Sequence, residues 1–218
     1  MGSSAVKLKL HRRIAELDGA RFTVLALRPT TTERFATTEV HETWQMLSST
    51  EGADLLGRLA WAMAFQSYQH TVLLIDLPLI APDPFATSPL SPILIVNSDL
   101  GSPSPAALTA LRAQLPQTEP SEGSVRLMTS GFDRALADTD RFWTQEKKDN
   151  PQLKAHQQAR WVEQVSGVVV LAAPAPALRQ WAIRVGDVAA RGALDPEWTP
   201  GDARQWTGEV QVLATALV

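Results

Sequence analysis

The sequence predicts an α/β protein with a three-layer α/β/α architecture, a mainly parallel sheet and an N-terminal β-hairpin. Short apolar runs such as HTVLLIDL, SPILIVNSDL and GVVVLAAP are typical of strands that are covered on both faces. Segments with helical spacing of apolar residues separate these runs, which favours crossover connections between strands. A chain of 218 residues that is 44% hydrophobic can bury the core of one such domain, so we treat residues 1–218 as a single α/β domain.

The first predicted element is a β-hairpin within residues 1–30. AVKLKLHRRIAEL and ARFTVLALRP have the length and the apolar content of strands. Asp18 and Gly19 lie between them, and Asp-Gly is a favoured two-residue hairpin turn.

The next elements are two predicted helices and a buried strand. Residues 32–47 and 54–69 have helical spacing, and Asp54 is the expected N-cap of the second helix. HTVLLIDL follows as a strand that ends at Asp76.

The second half of the chain continues the alternation of strands and helices. SPILIVNSDL, the weaker SVRLMTS, GVVVLAAP and the C-terminal GEVQVLATALV are predicted strands. Predicted helices cover residues 105–115, 132–146, 152–165 and 177–191. Residues 78–92 contain five of the fifteen prolines, so we expect an ordered surface loop or a lid there.

Composition narrows the possible functions. The chain has no cysteine, which excludes disulfides, thiolate metal sites and cysteine nucleophiles, and its scattered histidines predict no metal site. A net charge of -3 gives no general attraction to nucleic acid or to anionic lipid. No apolar run has the length of a signal peptide core or a membrane span, so the expected location is the cytoplasm.

Residues 48–78 read SSTEGADLLGRLAWAMAFQSYQHTVLLIDLP and carry a family resemblance. With RLAWAMA and VLLIDLP in the corresponding places, this stretch resembles the ParA/MinD-type ATPases, especially the bacterial polysaccharide tyrosine autokinases. Weaker similarity extends the resemblance to about half of the chain. The resemblance implies that a degenerate nucleotide loop comprises seven residues, Ser48, Ser49, Thr50, Glu51, Gly52, Ala53 and Asp54.

The departures from the family concern its phosphoryl-transfer groups. No lysine lies between Leu47 and Arg58, and Arg58 is expected to point away from the loop. Pro78 replaces the second carboxylate of the strand-end pair, and Ala172 or Ala173 stands where a metal-site acid is expected. The resemblance therefore implies a pseudo-ATPase without a required cofactor, although weak ATP and Mg²⁺ binding stays open.

Three polar residues at strand ends are candidate ligand-binding residues. Asp76 lies at the carboxyl end of its strand, where α/β proteins bind ligands, and Asn97 and Asp99 follow the next strand in the same way. Each also has a simpler interpretation, because Asp and Asn commonly cap helices and form turns.

Three functions are consistent with these observations. The first is a non-enzymatic regulator or scaffold that forms a homodimer and binds protein partners. The second is a small-molecule-binding α/β enzyme with a site around Asp76 and Asp99. The third is a nucleic-acid-associated factor, supported only by KLKLHRR, whose alternation predicts a cationic strand face but no specific nucleic-acid site.

Overall fold

In the computed structural model of the chain, the described residues are 7–40, 43–82, 90–114, 123–152, 161–191 and 212–214. They form an α/β fold. The strands are β1 (Lys7–Leu17), β2 (Ala20–Ala26), β3 (Phe35–Val40), β4 (Thr43–Ser48), β5 (Thr71–Ile75), β6 (Ile93–Asn97), β7 (Ser124–Met128), β8 (Trp161–Val165), β9 (Val168–Ala173) and β10 (Val212–Ala214). The helices are α1 (Thr50–Ala64), α2 (Pro105–Gln114), α3 (Phe132–Ala137), α4 (Thr139–Asp149) and α5 (Ala175–Arg191).

The large sheet is mixed, so the expectation of a mainly parallel sheet is wrong. Its seven strands have the order β7-β1-β2-β5-β6-β9-β8. Only β2–β5 and β6–β9 are parallel among these described pairs. The central strands β5 and β6 are antiparallel although every residue of both is buried. Continuous apolar runs indicate that both faces of a strand are covered, and they do not report its direction.

Helices cover both faces of the large sheet, which gives the three layers. Leu73 of β5 and Ile95 of β6 pack in the cluster that contains α1 and α5. Leu74 and Leu94 point the other way, into the cluster that contains α2. The layer of α1 and α5 carries the larger apolar cluster, and α3 and α4 pack at its margin.

Two hairpin turns have the backbone conformation that their sequences favour. Asp18 and Gly19 have φ values of 52° and 74°, which confirms the predicted N-terminal hairpin. Ser166 and Gly167, with φ values of 53° and 73°, join β8 to β9 in the same way. The prediction of a helix over residues 152–165 is therefore wrong at residues 161–165, which form β8. Residues 153–160 lie outside the described part of the chain.

A second, three-stranded sheet replaces the helix predicted for residues 32–47. Its strand order is β10-β4-β3, and β3 pairs with β4 as an antiparallel hairpin. Thr37, Thr38 and Trp44 are buried, and β-branched and aromatic residues favour such pleated surfaces. β10 confirms the predicted last strand over residues 212–214.

The remaining helices agree with the ranges predicted from the sequence, except at their ends. α2 and α5 lie close to their predicted ranges, whereas α1 begins at Thr50 instead of Asp54. The predicted helix 132–146 is divided at Asp138, whose φ of -140° breaks α3 from α4. The Asp138 carboxylate accepts the Arg141 N–H at 3.1 Å, so it caps α4.

The proline-rich loop 78–92 is described at its two ends. It begins in a short 3₁₀ turn, Leu77–Leu79, that directly follows β5. The Ala81 N–H then donates to the Phe35 carbonyl at 2.7 Å, which ties the loop to β3. Residues 83–89 lie outside the description.

Close packing of α1 on α5 depends on two glycines and one phenyl ring. A Cβ on Gly57 would lie 2.9 Å from the Ala182 carbonyl oxygen and 3.1 Å from the Phe132 ring. A Cβ on Gly186 would lie 2.8 Å from the same ring. Because the Ala182 oxygen belongs to the α5 backbone, a larger residue at position 57 would push the helices apart.

Gly57→Ala is predicted to destabilise the protein by about 1–3 kcal/mol, because the added methyl overlaps the α5 backbone. Helix propensity alone predicts the opposite sign, a gain of about 1 kcal/mol. Urea unfolding followed by circular dichroism measures the difference, and an increase in stability would contradict the close packing.

Candidate functional site

The start of α1 is formed by two serines with different roles. Ser48 ends β4 and is fully buried, and its hydroxyl donates to the Arg34 carbonyl at 3.0 Å. Ser49 is the N-cap of α1, because its Oγ accepts the Gly52 N–H at 3.1 Å. A Cβ on Gly52 would overlap the Ser48 hydroxyl. This packing is a local reason for the Ser-Ser-x-x-Gly pattern of the predicted nucleotide loop.

The seven predicted loop residues are thus a strand end, a cap and the first residues of a helix. Thr50 to Asp54 are helical, and Ala53 is fully buried in the core. A phosphate loop wraps its backbone N–H groups around the phosphate oxygens. Here the Gly52 N–H is bonded to Ser49, and the Ala53 N–H donates to the Ser49 carbonyl at 2.8 Å.

Three of these seven residues, Thr50, Glu51 and Asp54, line an open groove of about 480 Å³ between α1 and α5. Its other lining residues are apolar or small, except for Glu33 and Arg58. The remaining lining residues are Leu8, Leu55, Arg58, Leu136, Gly186, Ala189 and Ala190. We call this surface the α1–α5 groove.

Arg58 is held in the groove by two carboxylates. Its Nε donates to Asp54 Oδ2 at 2.7 Å, and its Nη2 lies 2.7 Å from Asp133 Oδ1 on α3. Its guanidinium also stacks on the Phe132 ring, 5.0 Å from the centroid. Burial by itself would lower the pKa of Arg58, but the hydrogen bonds and charges of Asp54 and Asp133 outweigh burial and raise it.

The charged residues of the described groove lining are mostly acidic. Asp54 shares Arg58, the one cation of this lining, with Asp133 outside it, and Glu33 and Glu51 add two further carboxylates. The Arg58 Nη1 is buried and has no hydrogen-bond partner within the described residues. The guanidinium is therefore held by Asp54 and Asp133.

Asp76 caps the turn that follows β5. Its Oδ1 accepts the Leu77 N–H at 2.7 Å and so caps the short 3₁₀ turn. Its Oδ2 lies 4.0 Å from Arg13 Nη1 on β1. The carboxylate thus connects β5 to the N-terminal hairpin.

Asn97 and Asp99 join three elements at the opposite end of the sheet. The Asn97 Nδ2 donates to the Met63 carbonyl of α1 at 3.3 Å, and its Oδ1 accepts the Asp99 N–H at 3.2 Å. Asp99 Oδ2 accepts the Ala175 N–H, the first of α5, at 2.9 Å. Asn97 is 2% exposed, so this network replaces its contact with water.

Asp76 and Asp99 do not form one site. β5 and β6 are antiparallel, with Val72 opposite Val96 and Ile75 opposite Ile93. Their carboxyl ends therefore lie at opposite edges of the sheet. Only Asn97 and Asp99, of the three candidate ligand-binding residues, are brought together.

Sequence reasoning missed Arg58, which was expected to point away from this region. The sequence did contain a signal for the ion pair, because Arg58 follows Asp54 by four positions and such pairs meet on one face of a helix. The contact with Asp133 had no local signal, since it joins residues of α1 and α3 that are distant in the chain.

No protein-family model matches the chain, and comparisons with curated proteins and with solved structures find no significant match. The resemblance to the ParA/MinD-type ATPases stays a prediction. Within the described residues, no helix is both long enough and apolar enough to cross a membrane, and no group of three or more His, Asp or Glu side chains could hold a metal ion.

Arg58→Ala is predicted to destabilise the protein by about 1–3 kcal/mol, because Asp54 and Asp133 lose a shared, partly buried cation. Arg58→Lys should recover part of the lost stability, because the lysine ammonium keeps the positive charge but lacks the planar guanidinium that bonds both carboxylates. Arg141→Ala, at an exposed position of α4, is the control and should change stability by no more than about 0.5 kcal/mol. Equal effects of the alanine variants in urea unfolding would contradict a specific role for Arg58.

Proposed function

We propose that this chain is a non-enzymatic regulator or scaffold that acts by self-association and by binding protein partners. The proposal rests on one observation: the candidate polar side chains are hydrogen-bonded to the main chain of this protein. Ser49, Asp76, Asn97 and Asp99 each accept a main-chain N–H of this chain. At the positions where an α/β enzyme presents reactive groups, the side chains of this protein cap helices and turns.

The α1–α5 groove is the contact surface in this proposal. Its floor is formed by helices that the glycine contacts and the Arg58 ion pairs hold in place, so little backbone rearrangement is required on binding. Leu8, Leu55 and Leu136 are partly buried and leave apolar surface in the groove. Apolar surface surrounded by charged groups is typical of protein contact sites.

Other apolar residues that could have formed an interface belong to the core instead. Trp44, Trp61 and Trp181 are between 5% and 8% exposed, and Leu79 of the proline-rich loop is 3% exposed. Leu90, in contrast, is 47% exposed. Phe85 and most of that loop lie outside the described residues.

A symmetric homodimer through the groove has an electrostatic consequence. An isologous contact brings together the groove linings of the two copies, and each lining carries the Glu33 and Glu51 carboxylates. Like charges weaken association at low ionic strength, and salt screens them over a Debye length of about 10 Å at 0.1 M. Self-association through the groove should therefore strengthen as salt is added.

The first experiment is light scattering coupled to size exclusion across a range of protein concentrations. We expect a dimer whose dissociation constant falls with added salt. Ala190→Arg places a long side chain at an exposed position of the groove and should weaken the dimer at least tenfold. Ala106→Arg, at an exposed position of α2, adds the same charge elsewhere and should leave the dimer unchanged.

A monomer at every accessible concentration would overturn the self-association part of the proposal. A dimer that Ala190→Arg and Ala106→Arg affect equally would place the interface outside the groove. Dimerisation only in the presence of ATP and Mg²⁺ would show that the start of α1 still recognises phosphate.

The second experiment tests catalysis directly. We expect no hydrolysis of ATP or GTP with Mg²⁺ in a phosphate-release assay, because no lysine is present between Leu47 and Arg58 and the Gly52 N–H is bonded to Ser49. Calorimetry with ATP and Mg²⁺ separates binding from turnover. Turnover that disappears in Asp76→Ala would contradict the non-enzymatic proposal.

A further inference from the structure

Three basic side chains of β1 point away from the α1 and α5 layer. Leu8 and Leu10 pack in the cluster on the α1 and α5 side of the sheet. Because successive side chains of a strand point to opposite faces, Lys9, His11 and Arg13 lie on the other face. This confirms the predicted alternation for these three residues, while the side chain of Lys7 lies outside the description.

The neighbouring strands add two arginines to the same face. β7 pairs with β1 so that Arg126 lies opposite Lys9. Leu127 packs in the α1 and α5 cluster, so Arg126 points to the opposite face with Lys9. Arg28, which follows β2, reaches across β1, and its Nη2 lies 3.4 Å from Ser124 Oγ on β7.

α2 covers only the other end of this face. Ala15 and Leu17 at the end of β1, and Phe22 and Val24 on β2, belong to the α2 cluster. Lys9 and Arg126 are exposed, and the other basic residues are partly exposed. We call the end that α2 does not cover the basic sheet face, formed by Lys9, His11, Arg13, Arg28 and Arg126.

The basic sheet face differs in charge from the rest of the chain. The whole chain has a net charge of -3, yet this small area contains one lysine and three arginines. Asp76, 4.0 Å from Arg13, offsets part of that charge. At ordinary ionic strength, charges beyond about 10 Å are largely screened, so cations dominate this surface among the residues that the structure describes.

We propose that the basic sheet face binds the phosphate backbone of single-stranded nucleic acid without sequence preference. This activity goes beyond the proposed protein-binding function, and it uses the side of β1 opposite the α1–α5 groove. Base edges play no part, because phosphate contacts carry no sequence information.

The spacing of the basic side chains fits an extended polyanion, with His11 able to donate a ring N–H between the charged Lys9 and Arg13. Alternate residues of a strand are about 6.8 Å apart, and adjacent strands are about 4.8 Å apart. Lys9, His11 and Arg13 therefore form a row in which the spacing is comparable with that of successive phosphates on an extended strand, with Arg126 and Arg28 beside it. Several single-strand-binding modules hold their ligands on the face of a β-sheet.

The lack of an apolar centre disfavours a protein or lipid partner at this surface. Met128, 50% exposed, is the one large exposed apolar side chain on the described part of β7, β1 and β2. Protein interfaces and membrane-bound surfaces normally bury an apolar centre. Apart from the imidazole of His11, the described part of this face offers no aromatic side chain for base stacking, so binding should depend mainly on charge and be weak.

The test is fluorescence anisotropy of purified protein with a labelled oligothymidylate at several salt concentrations. Three to four phosphate contacts predict a slope of log K against log salt of about -2 to -3, because each contact on a single strand contributes about -0.7. The double variant Lys9→Gln/Arg126→Gln should weaken binding roughly tenfold and reduce the slope by about 1.4.

A matched control removes the same charge elsewhere. Lys147 and Lys148 are exposed on α4, and Lys147→Gln/Lys148→Gln changes the net charge by the same amount. The control should bind the oligonucleotide as the parent protein does. Urea unfolding of both variants checks that neither loses its fold.

Several outcomes would overturn the proposal. Equal weakening by the two double variants would show a general charge effect. Tighter binding to a duplex or to phosphatidylserine vesicles than to the single strand would assign the face to another partner. Sub-micromolar affinity that persists at about 0.5 M salt would contradict backbone binding, which depends on ion release.

Discussion

The contact of the Phe132 ring with α1 and α5 is the constraint on which the rest of this structure depends. The ring is fully buried and lies against the two positions, Gly57 and Gly186, at which the helices pass closest. It also carries the Arg58 guanidinium on its face and packs edge-on against Trp61, with 5.9 Å between the ring centroids. A single side chain at the start of α3 thus sets the separation of α1 and α5 and the position of the cation between them.

The groove follows from this packing. The groove lies beside this contact, because Gly186 lines it together with Leu55 of α1 and Leu136 of α3. Asp133, next to Phe132 in the chain, is placed beside Arg58 by the same contact. The groove and the core are therefore formed by the same interactions.

Polar residues at the strand ends hold the layers together. Asn97 joins β6 to α1, and Asp99 joins the same turn to α5. Asp76 connects the end of β5 to Arg13 on β1. These bonds satisfy donors that would otherwise be unpaired, which is a sufficient physical reason for Asp and Asn at these positions.

Strand β1 separates two surfaces of opposite charge. Its even-numbered Leu8 and Leu10 face the layer that contains the acidic groove, and its odd-numbered Lys9 and Arg13 face the other side. The two-residue period of a strand is sufficient to produce this division. Asp18 and Gly19, the turn at the end of β1, keep the register with β2 that preserves it.

The features predicted correctly are those that depend on neighbouring residues. The Asp18-Gly19 turn, the buried strands β5, β6 and β9, and helices α2 and α5 follow from local backbone preference and local hydrophobic periodicity. The same local rules could have found the hairpin at Ser166-Gly167 and the pair of Asp54 with Arg58. Residues 32–47 were mistaken for a helix because their apolar positions fit either period, and only pairing between β3, β4 and β10 resolves them.

Strand direction and long-range contacts depend on the whole chain. A strand buried on both faces has the same composition in either direction, so the antiparallel pairing of β5 with β6 has no local signature. That pairing separates Asp76 from Asp99, and the packing of α3 on α1 brings Asp133 to Arg58. Sequence patterns therefore identified most of the elements. Hydrogen bonding and packing between distant segments placed the side chains that form the candidate surfaces, because the free energy of these contacts arises only when the segments meet.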